Sequence, residues 1–374
     1  MIHIITPEFP PAHGGVANYT QQIAIELARR GEAVHVWTPS GSVAQPGAAI
    51  VVHPELGRFH SADLRRASGL LDAFSAPRRL LVQWVPHGYG RHAMNLPFCL
   101  WLWRRSIGGD RVDLVVHEPF VTFSGGIGQR VAAAVQRAMT LLLLSAATRV
   151  WVTTEAWTPL LQPYLAGRRL AIGWLPVPSS FQPADTAAVD AVKTRYAPGR
   201  ECLVGHFGTH GALVTSLLAD AIPLIAEVSP LTRFLLIGSG GEAFRSAFVR
   251  RHPGFAERVT ATGTLRAGDL SAHVAACDVL LQPYPDGITS RRTTAMAGLL
   301  AGVPVVTTKG ALTERFWDDQ PAVRLAGVGD AHRLAEQVCE LLADPEERKR
   351  QADAGRAFYD RMFDVRHTVA ALAA

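Results

Sequence analysis

The sequence predicts an α/β fold built from two domains. Short apolar runs alternate with longer segments whose apolar residues recur at helical spacing, as in parallel sheets covered by helices. Glycine-containing turns follow several of the apolar runs. The length of 374 residues exceeds what one domain usually needs. With 48% hydrophobic and 18% charged residues, the composition indicates a compact globular chain rather than a disordered or fibrous one.

Charge and cysteine content further limit the kinds of ligand and cellular location that we expect. The formal net charge of +5 favours anionic ligands or an acidic membrane surface, but it is too small to indicate nucleic acid, and no nucleic-acid partner is expected. Four cysteines without paired spacing are expected to be buried and reduced. No secretory signal precedes the first strand, so we expect a cytoplasmic protein, with a peripheral position at the inner membrane face as an alternative. The apolar run 138–147 is too short to span a bilayer and predicts a buried helix.

The N-terminal forty residues predict a βαβ unit. A strand at 2–6 is followed by a turn containing Gly14 and Gly15, a helix at 16–30 and a strand at 34–38. The glycine turn would let a charged ligand approach the backbone at the start of the helix. An ordinary loop that needs positive φ is the alternative.

A histidine stands at the end of a later predicted strand. His117 follows the buried run 112–116, and catalytic residues collect at the carboxyl ends of strands in open α/β sheets. A structural core histidine is the alternative.

The Trp-rich segment 96–105, closed by two arginines, predicts a core helix, with a partner surface or a membrane-facing wedge as alternatives.

Three prolines in the stretch 174–183 predict a linker, because they can continue neither a helix nor a central strand. A second α/β series follows, beginning with a strand at 202–207 and the turn residues Gly208 and Thr209.

The segment 283–306 has the pattern of an anion-binding βα turn. Gly287 permits a tight turn, and Thr289 and Ser290 are N-cap candidates for a helix that we expect to begin at Arg291. The N–H groups and the positive dipole end of such a helix bind phosphate. An ordinary loop with two solvated arginines is the alternative.

These motifs together resemble family-4 glycosyltransferases of the GT-B fold. The similarity is carried by Pro-Pro-x-x-Gly-Gly-Val near the N-terminus, Asp-Leu-Val-Val-His-Glu-Pro around His117, the proline-rich linker, and P-x-x-D-G-(x6)-T-A-M-A-G in the anion-binding turn. The resemblance implies two Rossmann-like domains facing a cleft, and it predicts three parts of the chain: an acceptor domain at 1–177, a nucleotide-sugar domain at 178–355 and a C-terminal helix at 356–374 that crosses back to the first domain.

The resemblance also implies an activity. We expect a metal-independent, retaining transfer of a sugar from a nucleoside diphosphate donor to a glycan, lipid-linked or small-molecule acceptor, without a cofactor. His117 carries over as the active-site histidine and Asp286 as the carboxylate near the sugar. Negative charge on the departing diphosphate would be met by protein donors. The expected donor-site residues are Gly14, Gly15, Gly208, Thr209, Leu265, Gly287, Thr289, Ser290, Arg291, Arg292 and Thr294.

Two departures from the family pattern matter. Asp286 and Thr294 stand where the family has the two glutamates of E-x7-E, and the Arg and Lys that clamp the diphosphate are absent near Thr209. Our hypothesis is that Arg291 and Arg292 replace the lost charge. A catalytically decayed binding or scaffold subunit is the alternative to an enzyme, and a phosphorylase or epimerase of the same fold is a second.

Overall fold

The computed structural model describes residues 1–12, 14–39 and 49–373. The chain divides into two compact units. Unit 1 comprises Met1–Val177 together with the chain from Val365 onward, and unit 2 comprises Pro178–Asp364. The division falls inside the stretch predicted to be a linker.

Unit 1 is built on a seven-stranded parallel sheet. Its strands are β1 (Ile2–Ile5), β2 (Val34–Trp37), β3 (Ile50–His53), β4 (Arg79–Trp84), β5 (Arg111–Val116), β6 (Arg149–Val152) and β7 (Ile172–Trp174). The strand order is β3-β2-β1-β4-β5-β6-β7. Every residue of β1 is buried, as expected for a strand covered on both faces. The helices that follow these strands are α1 (Gly15–Arg29), α2 (Ser61–Leu71), α3 (Leu96–Ile107), α4 (Ile127–Ala146) and α5 (Thr158–Leu161).

Unit 2 contains a six-stranded parallel sheet. Its strands are β8 (Cys202–Phe207), β9 (Thr232–Ile237), β10 (Val259–Gly263), β11 (Val279–Gln282), β12 (Val305–Lys309) and β13 (Arg324–Gly327), in the order β10-β9-β8-β11-β12-β13. The sheet has an apolar cluster on each face. Its helices are α6 (Thr186–Tyr196), α7 (Ala212–Val228), α8 (Gly241–Arg251), α9 (Ala267–Ala275), α10 (Thr293–Ala301), α11 (Ala331–Ala343) and α12 (Pro345–Met362). This is the doubly wound arrangement, in which ligands bind at the carboxyl edge near β8 and β11.

The C-terminal region differs from the prediction of a crossing helix at 356–374. Tyr359 and Phe363, the predicted anchors on the first domain, pack instead in the core of unit 2. The Tyr359 hydroxyl also accepts a hydrogen bond from the Ser179 N–H at 3.0 Å, and Ser179 belongs to unit 2 as well. The aromatic residues were assigned to the wrong unit because their apolar spacing does not say which core they enter.

The return to unit 1 is made by the last helix, α13 (Val365–Ala373). Val369 and Leu372 join the core formed by β1, β2 and α1. Arg79 and Arg149 both bind the buried carboxylate of Asp113 and both donate to the Leu372 carbonyl. The two arginines thus give the Leu372 carbonyl hydrogen-bond donors at the C-terminal end of α13, where the helix dipole favours positive charge.

The apolar run 138–147 forms the second half of α4, which ends at Ala146, and Met139, Leu143 and Leu144 are buried. Within the described residues, no helix combines the length and apolar character that a bilayer crossing requires. The cysteines are free thiols; Cys99 and Cys277 are buried, whereas Cys202 and Cys339 are partly exposed.

Candidate functional site

A cavity of about 200 Å³ lies in unit 2 where β8 and β11 end. Its lining includes five residues predicted for the donor site, namely Gly208, Thr209, Arg291, Arg292 and Thr294. The lining also includes residues that the sequence did not single out, namely His206, Phe207, Val214, Gln282, Tyr284 and Thr293. The carboxyl edge of the sheet and the start of α10 therefore converge on one cavity, as the βα-turn pattern predicts.

The other predicted donor-site residues of unit 2 do not line this cavity: Leu265, Asp286, Gly287, Thr289 and Ser290. Gly287 has a φ of +88°, and a Cβ at this position would collide with Thr313 and with the Gly310 backbone. Only glycine fits this turn without strain.

The start of the helix after this turn was predicted wrongly. α10 begins at Thr293, not at Arg291, and neither Thr289 nor Ser290 caps it. The Ser290 N–H lies 3.1 Å from Oε1 of Glu314, and the Ser290 hydroxyl donates to the same oxygen at 2.6 Å. Glu314 is only 5% exposed, and Trp317 Nε1 supplies a further donor to it at 3.0 Å. The N–H group assigned to a diphosphate thus already binds a buried carboxylate.

The two arginines share a carboxylate. Arg292 forms an ion pair with Asp286, and Arg291 Nη2 lies 3.7 Å from the other oxygen of the same carboxylate. The Arg292 guanidinium also lies over the Tyr284 ring, 4.6 Å from its centroid. This packing orients the arginine, and the three charged groups together carry a net charge of +1 beside the cavity.

The hydroxyl groups of Tyr284 and Thr294 are 2.7 Å apart and hydrogen-bonded. Burial raises the pKa of Tyr284 to about 12, so its hydroxyl stays protonated at neutral pH. Thr294, an expected donor-site residue, therefore already shares a hydrogen bond with this phenol.

Gln282 ends β11 and has no exposed surface. Neither its side-chain oxygen nor its side-chain nitrogen has a hydrogen-bond partner among the described residues. An unpartnered buried amide costs roughly 1–3 kcal/mol, so such groups call for a ligand or another special reason. The sequence carries a weak signal, a glutamine closing the apolar run Val-Leu-Leu, but the missing partner is visible only in the fold.

His206 faces the same cavity from the end of β8. Its Nδ1–H donates to the Leu281 carbonyl at 2.8 Å, which leaves Nε2 as an acceptor. Burial, with His210 nearby, lowers the pKa of His206 to about 3. The imidazole is therefore neutral at physiological pH and offers a lone pair rather than a positive charge.

In unit 1, His117 lies at the carboxyl end of β5 as predicted and is 9% exposed. Its Nε2 lies 2.8 Å from Gln83 Oε1, so the imidazole donates to this amide. The Tyr19 ring meets the imidazole edge-on at 5.0 Å, and the His117 carbonyl accepts from Trp157 Nε1 at 2.9 Å. The ring orientation is thus fixed by packing and by a buried hydrogen bond.

The N-terminus of α1 is occupied by a carboxylate of the protein itself. Oε1 of Glu8 accepts hydrogen bonds from the N–H groups of Val16 and Ala17, both at 3.1 Å. A Cβ at Gly14 would overlap the Glu8 carboxylate, whereas one at Gly15 would meet open space. Gly14 therefore makes room for Glu8, and two of the N–H groups at this helix end are not available to a diphosphate.

Within the described ranges, no three His, Cys, Asp or Glu side chains are grouped so that they could hold a metal ion. The charge that the cavity offers to an anion comes from Arg291 and Arg292.

Two doubly wound units in one chain define the GT-B class of fold, and solved structures agree. The fold is similar to that of WaaG, a glycosyltransferase involved in lipopolysaccharide biosynthesis (TM-score 0.67, 15% identity, covering 96% of this chain and 95% of that one). It is also similar to sucrose-phosphate synthase from Thermosynechococcus elongatus (TM-score 0.72, 18% identity, covering 100% of this chain and 98% of that one). A third similar structure is HepE from Anabaena in complex with UDP and glucose (TM-score 0.71, 15% identity, covering 100% of this chain and 98% of that one).

The sequence of unit 2 also matches a known family. Residues 202–344 match the family model described as "Glycosyl transferases group 1". The matched region contains every residue that lines the cavity. Residues 202–344 of unit 2 are thus similar to group 1 glycosyl transferases, and the chain as a whole has the GT-B fold that the motifs predict. No match was found among curated protein sequences.

Proposed function

We propose that this enzyme is a metal-independent, retaining glycosyltransferase that binds a UDP-sugar in the cavity of unit 2. The observation that carries the proposal is the convergence of two arginines and an unpartnered buried amide, Gln282, on a cavity at the carboxyl edge of the sheet. The choice of UDP is supported by the HepE structure, which holds UDP and glucose. The cavity is smaller than a typical ligand pocket of roughly 300–1,000 Å³, so it would hold the diphosphate and sugar portion of the donor rather than all of it.

The arrangement suits departure of a nucleoside diphosphate. As the bond between the anomeric carbon and the phosphate oxygen breaks, its electron pair passes to that oxygen, and the arginines stabilise the charge. In a retaining transfer the acceptor hydroxyl attacks from the same face and its proton passes to the departing phosphate. Asp286 pairs with both arginines and would also accept hydrogen bonds from sugar hydroxyls, although it is one carbon shorter than glutamate.

Three further residues are assigned to the sugar side of the donor. Gln282 has one acceptor and two donor positions, His206 has one acceptor, and the Tyr284 hydroxyl is held beside Thr294. Such groups match sugar hydroxyls, each of which donates one hydrogen bond and accepts others. We assign the acceptor to unit 1, where His117 lies at the carboxyl edge. We also propose that the enzyme is cytoplasmic and peripheral to the inner face of the membrane.

Titration calorimetry with UDP and with GDP tests the donor assignment. We expect UDP to bind in the presence of EDTA, UDP-sugar to be hydrolysed slowly without acceptor, and NMR of the transfer product to show the donor's anomeric configuration. Failure of both nucleotides to bind would favour the scaffold alternative. Sugar release that requires inorganic phosphate would favour a phosphorylase.

A further inference from the structure

Two adjoining cavities lie in unit 1. The first has a volume of about 610 Å³ and is lined by turns that follow β3 and β4, including Gly57 and Gly88. The second has a volume of about 640 Å³ and lies between α2 and α3. Ser61, Leu96 and Pro97 line both cavities. We call the pair the α2–α3 groove; it begins at the carboxyl edge of the sheet, where open α/β folds bind ligands.

The second cavity of the groove is largely apolar. Leu64, Leu100, Trp101 and Leu142 line it, from α2, α3 and α4. The Trp101 indole N–H donates to the Ser68 hydroxyl at 2.7 Å, so the hydrogen-bond donor of this ring already has a partner. A neutral glycan, which needs many hydrogen bonds, finds few partners here, whereas an alkyl or isoprenoid chain would bury its surface favourably.

The polar part of the groove is positively charged. Arg58 lines the first cavity, and Arg65 and Arg104 line the second; all three are exposed. Their guanidinium groups form no ion pair or side-chain hydrogen bond within the described part of the chain. The neighbouring Arg105, by contrast, binds both Asp72 and Asp110. Arginines without carboxylate partners beside an apolar cavity match an anionic phosphate joined to an apolar chain.

We propose that the α2–α3 groove binds the acceptor, and that the acceptor is a lipid-linked phosphate: its apolar chain lies between α2 and α3, and its phosphate lies against the arginines. The inference rests on the proposed function, since it names the acceptor class of the same transfer reaction. It also gives a role to the Trp-rich helix, whose sequence left core, partner surface and membrane wedge open.

Binding of farnesyl phosphate, below the concentration at which it forms micelles, tests the inference. Calorimetry or tryptophan fluorescence should show saturable binding of farnesyl phosphate and at least about tenfold weaker binding of farnesol, because the alcohol lacks the charge that arginine recognises. Inorganic phosphate alone should bind weakly, because it lacks the chain. UDP binding is measured in parallel, so that loss of the donor site is distinguished from absence of an acceptor site.

Variants locate the site. The Arg65→Ala/Arg104→Ala double variant should bind farnesyl phosphate at least about tenfold more weakly. Leu100→Glu should also weaken binding, because it places a negative charge in the apolar cavity. Arg66→Ala is the matched control: Arg66 is an exposed arginine on the same helix that pairs with Asp63 and does not line the groove. All variants should retain UDP binding.

The inference is overturned if UDP binds but farnesyl phosphate does not, if farnesol binds equally well, or if the double variant binds as tightly as the unaltered enzyme. Binding to vesicles of phosphatidylcholine and phosphatidylglycerol without binding of farnesyl phosphate would also overturn it, since the arginines would then serve a membrane surface rather than an acceptor.

Discussion

Removing both arginines of the cavity tests the donor site most directly. In the double variant Arg291→Ala/Arg292→Ala, the local charge changes from +1 to −1, because Asp286 loses both partners. A charge-assisted hydrogen bond contributes roughly 1.5–3 kcal/mol. Since Asp286 already pairs with both arginines, we count the two arginines together as contributing one charge-assisted hydrogen bond to the diphosphate of UDP. The UDP dissociation constant should therefore rise about 10- to 150-fold.

The assay is titration calorimetry with UDP at fixed ionic strength, because screening weakens such contacts. Arg350→Ala is the matched control: Arg350 is an arginine of α12 in unit 2 whose side chain is 65% exposed and pairs with Glu347 at 2.8 Å, and it does not line the cavity. Asp286→Asn should act in the opposite direction, binding UDP as tightly or more tightly while turnover falls. If the double variant binds UDP within threefold of the unaltered enzyme and remains folded, the arginines do not hold the diphosphate.

Four further predictions concern single residues. Gln282→Leu should weaken donor-sugar binding about tenfold while leaving the melting temperature of the free enzyme unchanged or higher, because it removes an unpartnered buried amide; a lower melting temperature would indicate an unseen structural partner. His117→Ala should reduce kcat strongly and spare UDP affinity, whereas unfolding of the variant, detected by circular dichroism, would support a purely structural histidine. Glu8→Ala should lower the free energy of unfolding by about 1–2 kcal/mol in urea titrations, since two N–H groups of α1 lose their acceptor; no change would refute the capping role. His206 has a folded pKa of about 3 against 6.5 when unfolded, so the unfolded chain binds more protons between these values and stability falls as the pH drops through that window. That share of the loss is about 2 kcal/mol at pH 5. His3 and His53, whose pKa values burial also lowers to about 4, add to the loss in both proteins, so urea titrations at pH 7 and pH 5 should show His206→Gln losing about 2 kcal/mol less than the unaltered enzyme.

Local patterns predicted the elements of the fold well. The helix expected at 16–30 is Gly15–Arg29, and the strand expected at 112–116 is Arg111–Val116. Hydrophobic periodicity and glycine positions are local properties, so they locate such elements to within a residue or two. The linker was also visible, because three prolines within ten residues can continue neither a helix nor a central strand.

The contacts that shape the site were not predictable in the same way. Ser290, an expected N-cap residue, instead binds Glu314, a residue 24 positions away, and α10 begins at Thr293. Glu8 occupies the helix end where a ligand was expected. Gln282 became a candidate only when the fold showed that its amide lacks partners. In the first two cases a side chain from elsewhere in the sequence makes the contact that shapes the site. In the third, the lack of any such contact makes Gln282 a candidate.

The return of α13 has a consequence for how the enzyme is made. During synthesis, the whole of unit 2 leaves the ribosome before Val369 and Leu372, which complete the core beside α1. Domains generally fold as units while the chain emerges. The unit that begins the polypeptide is therefore the last to finish folding, and until then the apolar surface of α1 that these two residues cover is open to chaperones or to aggregation.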